Sequence, residues 1–280
     1  VSQIEETLLT ATDQGFTEFD TAPNYGLGFM EQCLGATFKN DSKIKINTKV
    51  GNIPFVGKSF KPADMKKSVE DSLKRLKRDQ INILYIHNPR TEVDSYAELA
   101  DMMTELKTEG KIIYSGVSLA KSFNYPNDVY ELFDYIQDEA SLLFLDNFKN
   151  IKKPEKTYFR SPLASGLLGG HITTNTVFPS DDHRSAWLKG ERLISILKRV
   201  NVLKEELRKY TDLDLQALAK KYLLESNTSC KVIFGIKRKE HVLRLAKDLT
   251  LPKLNEKLTS KIIELYDSDF CLEGERHLKY

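Results

Sequence analysis

Four short apolar runs in the first half of the chain each lead to a polar side chain, and a long connection follows every one of them. Phe16 to Phe19 deliver Asp20. Lys43 to Val50 alternate in polarity, with Lys49 near the end of the run. Ile81 to Ile86 deliver His87, and Ile112 to Val117 deliver Ser118. Between the runs lie helical patterns. Ile4, Leu8, Leu9 and Ala11 share one face of a helix that stops at Gly15, and Met30 to Phe38 form another. A third starts at Pro62, a favoured first-turn residue, with Met65, Val69, Leu73 and Leu76 as its apolar stripe and Glu70 expected to pair with Lys74. A fourth carries Tyr96, Leu99, Met103 and Leu106 and ends at Gly110. Connections of this length exclude hairpins. Strand and helix alternating in this way imply repeated βαβ units and a parallel sheet.

The second half continues the series more sparsely. Tyr135 to Gln137, Thr157 to Arg160 and Lys231 to Phe234 read as further strands, making seven. A long helical insertion at about 171–230 holds two helices, near Ser185 to Lys209 and Leu213 to Glu225. The 280 residues fit either two ordinary domains or one α/β barrel; the alternation of strand and helix points to one barrel domain spanning 1–280, and such a barrel closes with eight strands. The expectation is therefore a (β/α)8 TIM barrel whose first strand precedes Val1.

Composition removes several function classes. Lysine and arginine number 42 against 40 acidic residues, a net charge of +2, so no nucleic acid or membrane surface is expected as a partner. Cys33, Cys230 and Cys271 are too far apart for a C-x-x-C pair and fit a reducing, cytoplasmic setting. The run Ile81 to Ile86 has strand length rather than membrane-spanning length. His171, Asp181, Asp182 and His183 match no standard ligand spacing, so no metal is expected. Oligomeric state is not encoded in any of these features.

In a parallel barrel every strand ends on one face, which lets Asp20, Tyr25, Lys49 and His87 converge despite their separation in sequence. A phenol is a poor acid at neutral pH unless a cation stabilises its conjugate base. Lys49 is the candidate cation, Asp20 its counter-charge, and His87 a hydrogen-bonding group for a substrate oxygen. Together they suit giving a proton to a carbonyl oxygen as hydride reaches its carbon. No side chain donates hydride, so a cofactor is implied.

Five segments, in order, resemble the aldo-keto reductase family along nearly the whole chain. They are Gly15 to Ala22 with Tyr25-Gly26, Glu31 and Gly35; Thr48-Lys49-Val50; Leu84 to Pro89; Arg160 to Leu168; and Val232 to Gly235. The resemblance implies an eight-stranded barrel, NADPH as hydride donor, a small-molecule carbonyl substrate, and Tyr25 as general acid. By the same resemblance Lys49 and Asp20 tune that acid and His87 positions the carbonyl. Ser118 and Gln137 bind the nicotinamide amide, and the segment holding Arg160, Ser161, Pro162, Leu163 and Gly166 lines the ring and pyrophosphate. Gly235 belongs to the last cofactor segment, and Lys237, Arg238 and His241 follow where the adenosine end is gripped. Two cations there suit a 2′-phosphate and favour NADPH over NADH. Leu119 stands where the family often has Asn, and Arg160 where a ring-stacking Tyr is frequent. A sugar-like carbonyl is the favoured substrate class. The alternative is a regulatory, redox-sensing barrel that binds nucleotide with little turnover.

Overall fold

The computed structural model of the chain describes residues 2–39, 41–90, 93, 95–120 and 123–272. The strand expected before Val1 lies outside the described residues. Contacts group the chain into two compact units. One runs up to Asp138 and also takes in 156–158 and 235–247; the other holds 139–155, 159–234 and the chain from Asp248 onward.

The first unit opens with helix α1 (Gln3–Asp13), capped by the Ser2 hydroxyl, which accepts from the Glu5 N–H at 3.1 Å. Its end is a Schellman motif. Gly15, at φ 84°, donates to the Thr12 carbonyl at 2.9 Å, and Phe16 donates to that of Ala11 at 3.0 Å. That tie keeps Phe16 out of the sheet, so strand β1 is Glu18–Asp20, shorter than the apolar run suggests. Then follow α2 (Phe29–Phe38), β2 (Lys45–Val50) and a small antiparallel hairpin of β3 (Asn52–Ile53) and β4 (Gly57–Lys58). Next come α3 (Pro62–Leu76), β5 (Ile81–His87), α4 (Tyr96–Thr108), β6 (Ile112–Ser118), α5 (Val129–Leu132) and β7 (Tyr135–Glu139). Helix α4 ends on the same motif as α1, with Gly110 at φ 73°. The pairing expected within α3 is corrected: Lys74 pairs with Asp71 at 3.6 Å, and Glu70 reaches Lys111 instead.

Strands β1, β2, β5, β6 and β7 pair in parallel, in chain order, with Asp20 opposite Asn47, Lys49 opposite Tyr85, and His87 opposite Ser118. Residues of one parity pack outward under the helices: Phe19 meets Phe38 at 5.0 Å between ring centroids, and Ile46, Val50, Leu84, Ile86 and Val117 join the same core. The other parity carries Glu18, Asp20, Lys49, Tyr85, His87, Ser118 and Gln137. Gly116 makes room for one of them, since a Cβ there would lie 2.4 Å from the Tyr85 ring.

The second unit contains α6 (Asp146–Lys149), the end of β8 (Thr157–Arg160), α7 (Gly190–Leu207), α8 (Leu215–Ser226) and β9 (Lys231–Val232). The predicted helix near 185–209 is divided: a 3-10 turn at His183–Ala186 precedes α7. Helix α9 (Lys239–Leu249) begins in the first unit, and α10 (Glu256–Asp267) belongs to the second. The second core gathers Phe159, Leu197, Leu203, Tyr222, Ile262 and Phe270, among others. Arg199, buried beside it, forms a two-pronged pair with Asp269 at 3.0 and 2.5 Å. Among the described residues the hydrogen-bonded order is β1-β2-β5-β6-β7-β8-β9, seven strands without a reversal of sequence order. No helix among the described residues is long and apolar enough to cross a membrane.

Candidate active site

Lysine 49 lies at the centre of the site. Its side chain is 1% exposed, and its ammonium faces three acceptors: the Asp20 carboxylate at close range, the Thr21 carbonyl at 2.8 Å and the Tyr25 hydroxyl at 3.4 Å. Three N–H groups thus meet three oxygens, which is what makes a buried ammonium tolerable. Burial alone would depress its pKa and is the largest single influence. Attraction from Asp20, and then from Tyr25, outweighs it and raises the pKa above the ordinary lysine value. Lys49 therefore stays charged.

Asp20 ends β1, and the chain turns at once: the Thr21 N–H still bonds to the Asn47 carbonyl at 2.9 Å, and the Tyr25 N–H closes a turn onto Ala22 at 3.0 Å. Gly26, Leu27 and Gly28 then take left-handed conformations at φ 60°, 54° and 94°. The positive φ favours glycine at Gly28, and a Cβ there would lie 2.8 Å from the Arg75 side chain, which would have to shift. This loop leaves the Tyr25 side chain 40% exposed, with its hydroxyl end at Lys49 and its ring edge-to-face with His87, centroids 6.2 Å apart at 84°. His87 itself is buried at the tip of β5.

Behind Asp20 the network continues inward. Gln137 donates to the second Asp20 oxygen at 2.9 Å and accepts from the Ser118 hydroxyl at 3.0 Å. Each end of the Gln137 amide is thus used once, leaving one N–H and one lone pair for a further amide group. One turn deeper lies a polar cluster that sequence reasoning missed. Glu18 accepts from Asn47 at 2.8 Å and from Tyr158 at 2.7 Å, and Asn82 donates to Asn47 at 2.7 Å. Burial, reinforced by the bond to Glu18, pushes the Tyr158 phenol far up. The same applies to Tyr85, where burial dominates and Asp20 adds to it. The available signal was strand parity: Glu18 shares a face with Asp20, two residues on.

The other expected cofactor residues fall in two places. Lys237, Arg238 and His241 belong, like the acid group, to the first unit. Gly235, Lys237 and Arg238 are exposed at the entrance to α9. The Lys237 N–H donates to the His241 ring at 3.3 Å, and Lys239 pairs with Glu6 at 2.6 Å. Arg160, Ser161, Pro162, Leu163 and Gly166 belong to the second unit. There Arg160 meets Glu139 at 3.3 Å, and the loop takes a run of left-handed residues: Ser161 at φ 62°, Ala164 at 47°, Ser165 at 56° and Gly166 at 95°. Three non-glycine residues in that region cost about 1–2 kcal/mol each. Among the described residues no group of three or more His, Cys, Asp or Glu could hold a metal ion.

The family model described as "Aldo/keto reductase family" matches residues 2–267. The chain is 28% identical over 285 residues to aldo-keto reductase YhdN of Bacillus subtilis, covering 94% of this chain and 84% of that protein. It is 25% identical over 295 residues to the NADH-specific methylglyoxal reductase of Escherichia coli, covering 96% and 86%. Among solved structures, the glycerol dehydrogenase AKR11B4 from Gluconobacter oxydans superposes with a TM-score of 0.79 at 24% identity, over 97% of this chain and 87% of the other.

Proposed function

This chain belongs to the aldo/keto reductase family, and on that premise we propose that it reduces an aldehyde or ketone with hydride from NADPH, Tyr25 serving as the acid on a (β/α)8 barrel. The observation that carries the proposal is the Lys49 ammonium, buried, held charged by Asp20, and 3.4 Å from the Tyr25 hydroxyl. A positive charge at that distance favours any negative charge developing on the phenol oxygen as its proton leaves. Tyr25 is exposed enough to meet a carbonyl oxygen, while Lys49 behind it is not. His87, edge-on to the same ring, orients that oxygen.

Taken unit by unit, residues are present that suit parts of a dinucleotide. Gln137 retains one donor and one acceptor for a carboxamide, with Ser118 beside it. The left-handed run at Ser161, Ala164, Ser165 and Gly166 is the kind of strained backbone that supports close approach of a phosphate-bearing ligand. Lys237 and Arg238, exposed at a helix start, suit a dianionic phosphate. A bound nicotinamide supplies the hydride. One relative is NADH-specific by name, so the choice of NADPH rests on these two cations rather than on family membership.

A small carbonyl compound is the substrate, with a sugar-like one favoured. One relative is named for methylglyoxal, a small polar carbonyl compound. The test is steady-state oxidation of NADPH across a panel of ketosugars, short α-oxoaldehydes and aromatic aldehydes. Turnover with a member of the panel is expected. Tight nucleotide binding with no turnover on any of them would replace this reading by a nucleotide-sensing role.

A further inference from the structure

The tyrosine loop is anchored unevenly. Ala22 and Pro23, next to β1, are buried, but after Tyr25 the large apolar side chains Leu27 and Phe29 are 53% and 52% exposed, so that half of the loop has no buried apolar anchor. Its position must come from its two ends. One end is β1, hydrogen-bonded to β2. The other is the start of α2, where the Met30 N–H donates to the Tyr25 carbonyl at 3.4 Å and the Phe29 N–H to that of Gly26 at 3.1 Å. One residue further on stands Glu31, fully buried although it carries a carboxyl group. Its Oε1 accepts from the Thr48 hydroxyl at 2.6 Å, and its Oε2 accepts from Arg75 Nε at 2.7 Å. Arg75 is fixed in turn by Ser72 Oγ at 3.0 Å.

Thr48 is the immediate neighbour of Lys49 and, by strand alternation, projects from the opposite face of β2. We propose that Glu31 and Thr48 form a clasp that positions Tyr25 against Lys49: the first turn of the helix that follows the phenol is bonded to the back of the strand that carries the ammonium. The sequence connection from Tyr25 to Lys49 is 24 residues long, and the clasp shortens it to a few side-chain bonds. A buried carboxylate with two strong donors is costly to leave unpaired, so the arrangement is stiff. The inference rests on the reading of Tyr25 as the acid. Glu31 and Thr48 are positioning residues, and neither meets the substrate.

Thr48→Val keeps the shape and deletes the hydroxyl, whereas Thr48→Ser keeps the hydroxyl. With the best substrate of the panel, Thr48→Val is expected to lower kcat about tenfold, with KM and the NADPH dissociation constant changed less than about twofold. Thr48→Ser is expected to restore kcat to within about twofold of the parent. Should the valine variant not fold, Thr48→Ala deletes the same bond with less bulk and carries the same expectation. A variant lacking the hydroxyl that melts earlier but keeps the parental kcat overturns the clasp and leaves a purely structural bond. Tyr25→Phe, measured alongside, separates the two ideas. If it stays active, the acid reading fails and the clasp with it; if it is inactive while Thr48→Val is not, the clasp alone fails.

Discussion

Replacing Lys49 by methionine removes the charge while keeping most of the volume, and its effect can be worked from the geometry. At 3.4 Å, in surroundings of effective dielectric about 20, a unit positive charge stabilises a unit negative charge on the Tyr25 oxygen by roughly 5 kcal/mol. Asp20 sits against the same ammonium and offsets about half of that, leaving roughly 2–3 kcal/mol in the transition state, or about 30- to 150-fold in kcat. The substitution also strands Asp20, whose remaining side-chain donor is Gln137 at 2.9 Å. Breaking a buried pair from one side costs about 3–5 kcal/mol, so a lowered melting temperature is expected as well. The assay is pre-steady-state oxidation of NADPH at saturating cofactor, at a temperature where thermal scans show the variant folded. A Lys49→Met enzyme retaining more than about a third of the parental rate would contradict the electrostatic argument.

Three further outcomes are expected. Gly35→Ala places a Cβ 2.3 Å from the Arg75 carbonyl and 2.6 Å from Leu76 backbone, where nothing flexible can yield, so it should destabilise the fold by about 1–3 kcal/mol or more, read by denaturant unfolding. Burial pushes the Cys230 thiol up to about 11, so at pH 8 its thiolate fraction is about one in a thousand; iodoacetamide should label exposed Cys271 and reach Cys230 only after unfolding or as the pH approaches 11, as peptide mass mapping would show. Lys237→Ala should weaken NADPH binding more than NADH binding by about tenfold, and equal losses in a fluorescence titration would remove the 2′-phosphate assignment.

The strand tips were legible because a buried strand ending on a charged or hydrogen-bonding side chain is chemically conspicuous. Asp20, Lys49, His87 and Ser118 all sit where the apolar runs placed them. So were the helix stops at Gly15 and Gly110, since both glycines adopt the left-handed φ that a Schellman cap requires. What escaped was whatever depends on pairing at a distance. Nothing local distinguishes Glu70 reaching Lys74 from Glu70 reaching Lys111, and tertiary packing chose the second. The hairpin Asn52–Lys58 is too short to show a period. The bonds joining Glu18, Asn47, Asn82 and Tyr158 span up to 140 residues, and only the folded sheet brings them together. Glu31 and Thr48 each stood in a familiar segment, but nothing in the sequence joined them to one another or to Arg75.

In the proposed reaction one hydroxyl, that of Tyr25, delivers the proton. Tyr25→Phe deletes that oxygen and nothing else, and the decisive quantity is the rate of NADPH oxidation at saturating carbonyl substrate, set beside the NADPH dissociation constant of the same preparation. The expected result is a fall of about three orders of magnitude or more in the rate with cofactor affinity essentially unchanged. A phenylalanine enzyme that binds NADPH normally and keeps a tenth of the parental rate would show that the proton comes from elsewhere.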